Sequence, residues 1–122
     1  TVELENVLQM QLDCLEALLK DDYVGVRVVA AQGVCRVLSL FWEGMPAARS
    51  KALLCTLTRD LAHDASATSV RSSVLIGLKY LVQQSEDTVS CAEVLKPLLV
   101  PLAPLINDAS ERVRIAFVDL CL

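Results

Sequence analysis

The residues able to do chemistry in this 122-residue chain are few, and their spacing suits none of the common schemes. Its one histidine, His63, stands beside Asp64. Acid–base or nucleophilic catalysis would need that imidazole held against a nucleophile. No G-x-S-x-G or H-E-x-x-H occurs, and Gly25, Gly33, Gly44 and Gly77 form no phosphate loop. His63 reads instead as a residue at a helix C-terminus, where an imidazole suits the negative end of the dipole. Five cysteines, Cys14, Cys35, Cys55, Cys91 and Cys121, lie 20 or more residues apart without a C-x-x-C. That spacing argues against a zinc site or a disulfide framework. Reduced thiols buried as small apolar side chains, in a reducing intracellular compartment, are the expectation. No enzyme, cofactor, metal or small-molecule substrate is indicated.

What remains to explain is the bulk of the chain. Apolar residues make up 54%, aromatics only 4%, and 22 residues are leucine. Such a chain carries too much aliphatic surface to stay disordered. Its longest apolar stretch, from Val24 to Trp42, is interrupted by Arg27, Gln32 and Arg36, so no membrane span is expected. A secretory signal pattern is not seen, and the start at Thr1 together with an apolar end at Leu122 reads as a piece of a longer protein. The net charge of −4 has the wrong sign for a dedicated nucleic-acid module.

Self-comparison supplies the organising feature. Leu-x-x-Asp occurs at Leu19–Asp22, Leu61–Asp64 and Leu105–Asp108, and each is followed by Val-Arg, at Arg27, Arg71 and Arg114. The arginines are 44 and 43 residues apart. A period of this length marks a stack of helix pairs. First helices are predicted over roughly 3–20, 46–62 and 91–106, and second helices over 23–43, 69–84 and 110–122. Leu4, Leu8, Leu12, Leu15 and Leu19 step by three and four, as one face of a helix must, and Val26 to Phe41 do the same. Pro46 fits a first helical position. Ser90 to Glu93 reads as a capping box, with Val89 and Val94 as its hydrophobic staple. Asp22, Asp64 and Asp108 fall in the turns before the second helices, where a carboxylate can accept free backbone N–H groups. Pro97, Pro101 and Pro104 predict a bent or broken third first-helix. No strand alternation is present. The fold expected is all-α, a solenoid of about three helix pairs over 1–43, 44–86 and 87–122, forming one domain.

This period, with Leu-x-x-Asp followed by Val-Arg, resembles the HEAT-repeat family, an armadillo-like superhelix. The third unit is the nearest to that pattern, with Pro101-Leu102, Leu105-Ile106-Asn107-Asp108 and Val113-Arg114-Ile115-Ala116. The resemblance implies a structural ladder of turn aspartates and second-helix arginines, here Asp22, Asp64 and Asp108 with Arg27, Arg71 and Arg114. In the middle unit Ser72-Ser73 depart from the small apolar residues of the pattern. The stretches Asp21-Asp22-Tyr23-Val24-Gly25-Val26-Arg27-Val28-Val29-Ala30, Gly33-Val34-Cys35-Arg36 and Leu38 to Glu43, and also Val113 to Asp119, are similar to the G-type HEAT subunits of condensin II complexes. Residues 45–105 match only generically. That similarity implies a non-catalytic subunit of a chromosome-condensing complex, nuclear and active in mitosis, binding a kleisin chain beside SMC subunits and contributing to DNA engagement.

Within the second helices Arg27, Arg36, Arg71, Lys79 and Arg114 outnumber Asp119, so their face could be basic. Three of the five are ladder positions, which leaves Arg36 and Lys79 as candidate contacts. Two free cations give a small, salt-sensitive hold on phosphates. Trp42 is a candidate partner contact, although the pair Phe41-Trp42 is expected to pack in the core. The alternatives of the same architecture are a nuclear transport receptor or a phosphatase scaffold. An autonomous DNA-binding module is the alternative of a different class.

Overall fold

The computed structural model describes all residues from Thr1 to Leu122. Six α-helices follow one another without a strand: α1 (Val2–Leu19), α2 (Val24–Phe41), α3 (Ala47–Cys55), α4 (Thr68–Gln84), α5 (Val89–Leu99) and α6 (Glu111–Cys121). In chain order they group as α1/α2, α3/α4 and α5/α6, with α4 and α6 packing on the irregular segments that continue α3 and α5. The second helices form one layer, in which α4 packs against α2 on one side and α6 on the other. The all-α stack of three helix pairs expected from the period is what the chain forms.

Each element follows from local chemistry. The Thr1 hydroxyl accepts the Leu4 N–H at 3.2 Å, and Glu3 and Glu5 sit at the positive end of α1. Leu12 and Leu19 of α1 are buried, with Leu8 and Leu15 packed beside them. α2 inserts Ala30, Ala31, Val34, Cys35 and Leu38 into a single apolar core of 26 residues. α4 is the most deeply covered helix, and eight of its residues are buried. Ser72 and Ser73, which departed from the repeat pattern, are both buried there with partners. The Ser72 hydroxyl donates to the Ser69 carbonyl, and the Ser73 hydroxyl accepts from Gln32 of α2 at 3.4 Å.

The first helices of the second and third pairs are not uniform. α3 passes into a π turn (Thr56–Asp60) and then a 3-10 turn (Leu61–His63). In the π turn the buried Thr58 hydroxyl returns to the Leu54 carbonyl at 2.9 Å. α5 carries Pro97 inside it and gives way to a 3-10 stretch (Val100–Asn107) holding Pro101 and Pro104. Each of these prolines lacks an N–H and its ring crowds the carbonyl four residues back, which disrupts the α-helical ladder where two fall close together. The bent or broken helix expected from the three prolines is therefore an α-helix continued as 3-10.

Several expectations need correction. Pro46 precedes the first helical residue of α3 instead of occupying it. The capping box does not form: Thr88 is the N-cap residue, the helix starts at Val89, and Ser90 lies inside it. The Ser90 hydroxyl instead accepts the Trp42 indole N–H at 2.9 Å. All five cysteines are free, but only Cys35 and Cys91 are buried, Cys55 is half-buried, and Cys14 and Cys121 are exposed. Burial pushes the Cys35 thiol up to about 12. Burial also raises Cys91, against the pull of a hydrogen bond with Ser85. Phe41 keeps 60% of its surface exposed, while Trp42 packs against the core. Val24–Gly44 and Val89–Asn107 are, by length and mean hydropathy, apolar enough to cross a membrane. The former holds α2, whose Arg27 is engaged in the ion pair described next.

Candidate interaction site: the arginine–aspartate junctions

The turn before each second helix is built the same way. The Asp64 carboxylate accepts the Ser66 N–H at 2.9 Å, and the Asp108 carboxylate accepts the Ser110 N–H at 2.9 Å. In the first pair the residue doing this is Asp21, which accepts the Tyr23 N–H at 2.9 Å. Such a turn lets a side chain take the place of a backbone acceptor and fixes where the helix begins. Asp22, expected at this position, accepts only through its backbone carbonyl, from the Arg27 guanidinium at 3.0 Å. The duplicated Leu18-Leu19 and Asp21-Asp22 allow Leu-x-x-Asp in two registers. The spacing of six residues from Asp21 to Arg27, equal to that from Asp108 to Arg114, is the signal that separates them.

Arg27 and Arg71 then each join two helix pairs. One guanidinium nitrogen, Nη1, donates to the turn of its own pair: Arg27 to the Asp21 carbonyl at 2.8 Å, Arg71 to the Asp64 carbonyl at 2.7 Å, and Arg114 to the Asp108 carbonyl at 2.6 Å. The remaining donors reach forward to the aspartate of the next pair. Arg27 Nε meets Asp64 Oδ2 at 3.1 Å, and its Nη2 meets the Ser66 hydroxyl at 3.3 Å. Arg71 grips Asp108 with both Nε and Nη2, at 2.9 and 3.0 Å. This two-pronged geometry is the strongest form of arginine–carboxylate contact. Arg114 has no carboxylate within ion-pair distance, and Asp21 accepts no side-chain donor. The aspartates thus take part in order: Asp64 and Asp108 within the stack, Asp21 open at one end.

Electrostatics follow the geometry. Burial alone would raise the Asp64 carboxyl. Hydrogen bonds from Ser66 and the charge and hydrogen bond of Arg27 outweigh that and hold it below the usual carboxylate range. Asp108 is lowered chiefly by the hydrogen bond from Arg71, against burial, with help from the Ser110 N–H. Arg71 is raised in turn by Asp108.

A second junction, on the first-helix layer, has no counterpart in the repeat pattern and was missed in the sequence. Arg49 of α3 reaches three residues of α1: Asp13 at 2.6 Å, Glu16 at 3.2 Å and the Gln9 amide oxygen. Gln9, Asp13 and Glu16 are spaced by four and three, so they share one helix face.

The candidate contact residues lie apart from these junctions. Arg36 is exposed and Lys79 half-buried, and neither has an ion-pair or side-chain hydrogen-bond partner. Counted from the ladder arginines, Arg36 aligns with Tyr80, whereas Lys79 aligns with Cys35, a different face of the helix. They do not share one register position. Trp42 is held by Ser90 and the core. A shallow groove of about 400 Å³ opens between α4 and α6, lined by Ile76, Ile115 and Ala116 with Glu111, Arg112 and Asp119. His63 is exposed and takes part in no side-chain hydrogen bond.

Comparison with known proteins agrees with this architecture. A family model described as GCN1-like, C-terminal HEAT repeats matches residues 1–121. Among curated proteins, condensin-2 complex subunit G2 of Homo sapiens is 37% identical over 121 residues, or 99% of this chain. The proteins of the same description from Mus musculus and Danio rerio are each 38% identical, over 98% and 97% of the chain. This chain spans 10% of the length of each of those relatives. No solved structure gives a match.

Proposed function

Because the chain belongs to the family of GCN1-like, C-terminal HEAT repeats, we propose that it is a non-catalytic scaffold segment of a condensin II-like complex. The observation that carries this reading is identity of 37–38% to condensin-2 subunit G2 across nearly the whole segment. The geometry is consistent with it, since the polar side chains that converge are spent on joining helix pairs rather than on a reactive centre. A stack of this kind acts by presenting a continuous surface to other chains. In this reading the protein is nuclear and chromosome-associated, its partners are a kleisin and SMC subunits, and Arg36 and Lys79 add a salt-sensitive contact to DNA.

The test is co-purification of the protein from mitotic nuclei, followed by identification of what travels with it. Recovery of SMC and kleisin subunits is expected. Recovery instead of a transport cargo or phosphatase subunits would replace this reading with one of its architectural alternatives. Duplex binding by the isolated 122 residues, with a steep salt slope, would favour an autonomous DNA module. Arg36→Glu with Lys79→Glu is expected to weaken DNA association of the assembled complex. If neither kleisin nor DNA binding changes, those two residues have no contact role.

A further inference from the structure

The Ser90–Glu93 motif, expected to cap α5, is not used by the helix. Glu93 is exposed and takes part in no side-chain hydrogen bond or ion pair. Ser90 is exposed as well, and its hydroxyl accepts the Trp42 indole N–H at 2.9 Å but donates to no protein acceptor. Two further carboxylates, Glu86 and Asp87, stand in the turn just before α5, and no basic residue occurs from Tyr80 to Leu95. No other serine or threonine of the chain has a carboxylate three residues after it. The neighbouring hydroxyls are also less available. Ser85 is 6% exposed and donates to the Leu81 carbonyl, and Thr88 is half-buried.

We propose that Ser90 is a phosphorylation site for an acid-directed serine kinase, one whose basic substrate cleft reads the carboxylate three residues beyond the acceptor. In the reaction Ser90 Oγ attacks the γ-phosphorus of a nucleoside triphosphate. The bond from that phosphorus to the bridging oxygen breaks, and a nucleoside diphosphate leaves with the electron pair. The hydroxyl proton passes to the kinase's own base. The local fold suits such an acceptor. Thr88, the N-cap residue, makes no side-chain cap bond, and the N–H groups of Val89, Ser90 and Cys91 have no acceptor within the protein. Drawing the first turn of α5 into a kinase cleft therefore breaks no capping bond, and what opposes it is the exposure of Cys91, the first buried residue of the helix.

The phosphate acts at two places. It brings a charge of about −2 to the positive end of α5, where those N–H groups stand, so the first turn holds more firmly once modified. It also converts Ser90 Oγ into an ester oxygen, a poorer acceptor, and the Trp42 indole N–H must turn to a phosphate oxygen or be released. Trp42 follows α2 in the turn between the first and second helix pairs, whereas Ser90 opens the third. Their bond joins residues 48 apart in the chain, so a modification on α5 is felt at the end of the first pair. This inference stands on these residues alone and is independent of the condensin reading.

The test incubates the folded chain with casein kinase 2, an acid-directed kinase, and ATP, and locates the product by tandem mass spectrometry. A single phosphate, on Ser90, is expected. Glu93→Gln, at an exposed position, should lower kcat/KM for the chain about tenfold. Ser90→Ala should abolish incorporation. In the phosphorylated protein, amide exchange from Val89 to Cys91 should slow, and the indole N–H resonance of Trp42, the only tryptophan, should shift. Phosphorylation of a peptide spanning residues 83–96 but not of the folded chain overturns the proposal, because the fold then closes the site. An unchanged rate for Glu93→Gln overturns it too, as does equal incorporation at Ser90 by the cyclic AMP-dependent kinase, which selects basic flanks. So does an unmodified Ser90 in the protein recovered from both dividing and resting cells.

Discussion

Two arginines cross the same boundary between the first and second helix pairs, from opposite directions. Arg27 reaches from α2 to Asp64 through the second-helix layer, and Arg49 reaches back from α3 to α1 through the first-helix layer. The Arg27 pair keeps only 13% and 15% of its side-chain surface, and each partner is already fixed by the turn it caps. Arg49 has more carboxylates to choose from, yet its nearest, Asp13, keeps 69% of its surface. Across the boundary Arg49 has three partners and Arg27 two, so number and burial of partners run in opposite directions. A guanidinium held by backbone carbonyls on one side loses little further freedom in gripping a carboxylate on the other. One that must immobilise three solvated side chains gains little from each.

The boundary has a third component, and the largest effect is expected there. Gly77 lets α4 approach α2 so closely that a Cβ there would stand 2.8 Å from the Cys35 Sγ and force it to move. Gly77→Val is expected to cost about 3 kcal/mol of unfolding free energy, read by urea denaturation, since overpacking of a tight core is relieved only by backbone shifts. The equivalent Gly33 has open space, so Gly33→Ala should instead stabilise by about 0.5 kcal/mol, the usual gain inside a helix. Equal effects at the two glycines would mean that the close approach, and not the ionic joints, had been misjudged.

Next comes the inner joint itself. Arg27→Met keeps the stem of the side chain but strands the Asp64 carboxylate in a half-buried site, and a loss of about 2 kcal/mol is expected. Arg71→Met should cost at least as much, because it removes a two-pronged grip on Asp108. The corresponding change at Arg114, which grips no carboxylate, should cost clearly less. Comparing these three along one repeat position separates the worth of the forward bond from that of the backward one.

These inner joints were partly legible in the sequence and the outer one was not, for a physical reason. A period reveals residues that the fold uses in every unit. The arginines stand out because each must close its own turn, and Asp64 and Asp108 stand out with them. Asp21 was obscured only because the chain doubles the motif there, which makes local pattern ambiguous while the distance to Arg27 is not. Arg49, Gln9, Asp13 and Glu16 occur once, so no internal comparison could pick them out, and partners 33 to 40 residues apart leave no local trace. The broken first helices were legible where proline broke them, over Val100–Asn107. They were not legible at the π turn of Thr56–Asp60, where no residue forbids an ordinary helix. The capping box failed for a similar reason: Ser90 had a competing tertiary partner in Trp42, which a four-residue motif cannot register.

A smaller effect should appear with acidity. The Asp64 and Asp108 carboxyls are both held below their ordinary value in the folded chain. A depressed carboxyl stabilises the fold fully above its unfolded pKa, near 4, and that stabilisation is lost as pH falls through the lower folded value. Stability is therefore expected to be level from pH 7 to about 5 and to fall as the pH drops below about 4. Asp108→Asn should lower the plateau and flatten that fall. A fall of unchanged depth in the double Asn variant would place the acid sensitivity elsewhere in the chain.

The smallest effect should come from the arginine with the most partners across the boundary. Arg49→Ala removes bonds to Gln9, Asp13 and Glu16 at once, but all three retain water when the guanidinium leaves. At about 150 mM salt its unfolding midpoint should be indistinguishable from that of the parent, with a difference emerging only near about 10 mM, where screening relaxes. Arg27→Met should show the same loss at both concentrations, because a half-buried pair is little screened. The pair of salt series is thus the sharpest reading of the comparison. If Arg49→Ala proves as costly as Arg27→Met and equally insensitive to salt, the first-helix layer is held by its ionic clamp. Contact number, rather than burial and prior fixation, would then set what an arginine is worth at this boundary.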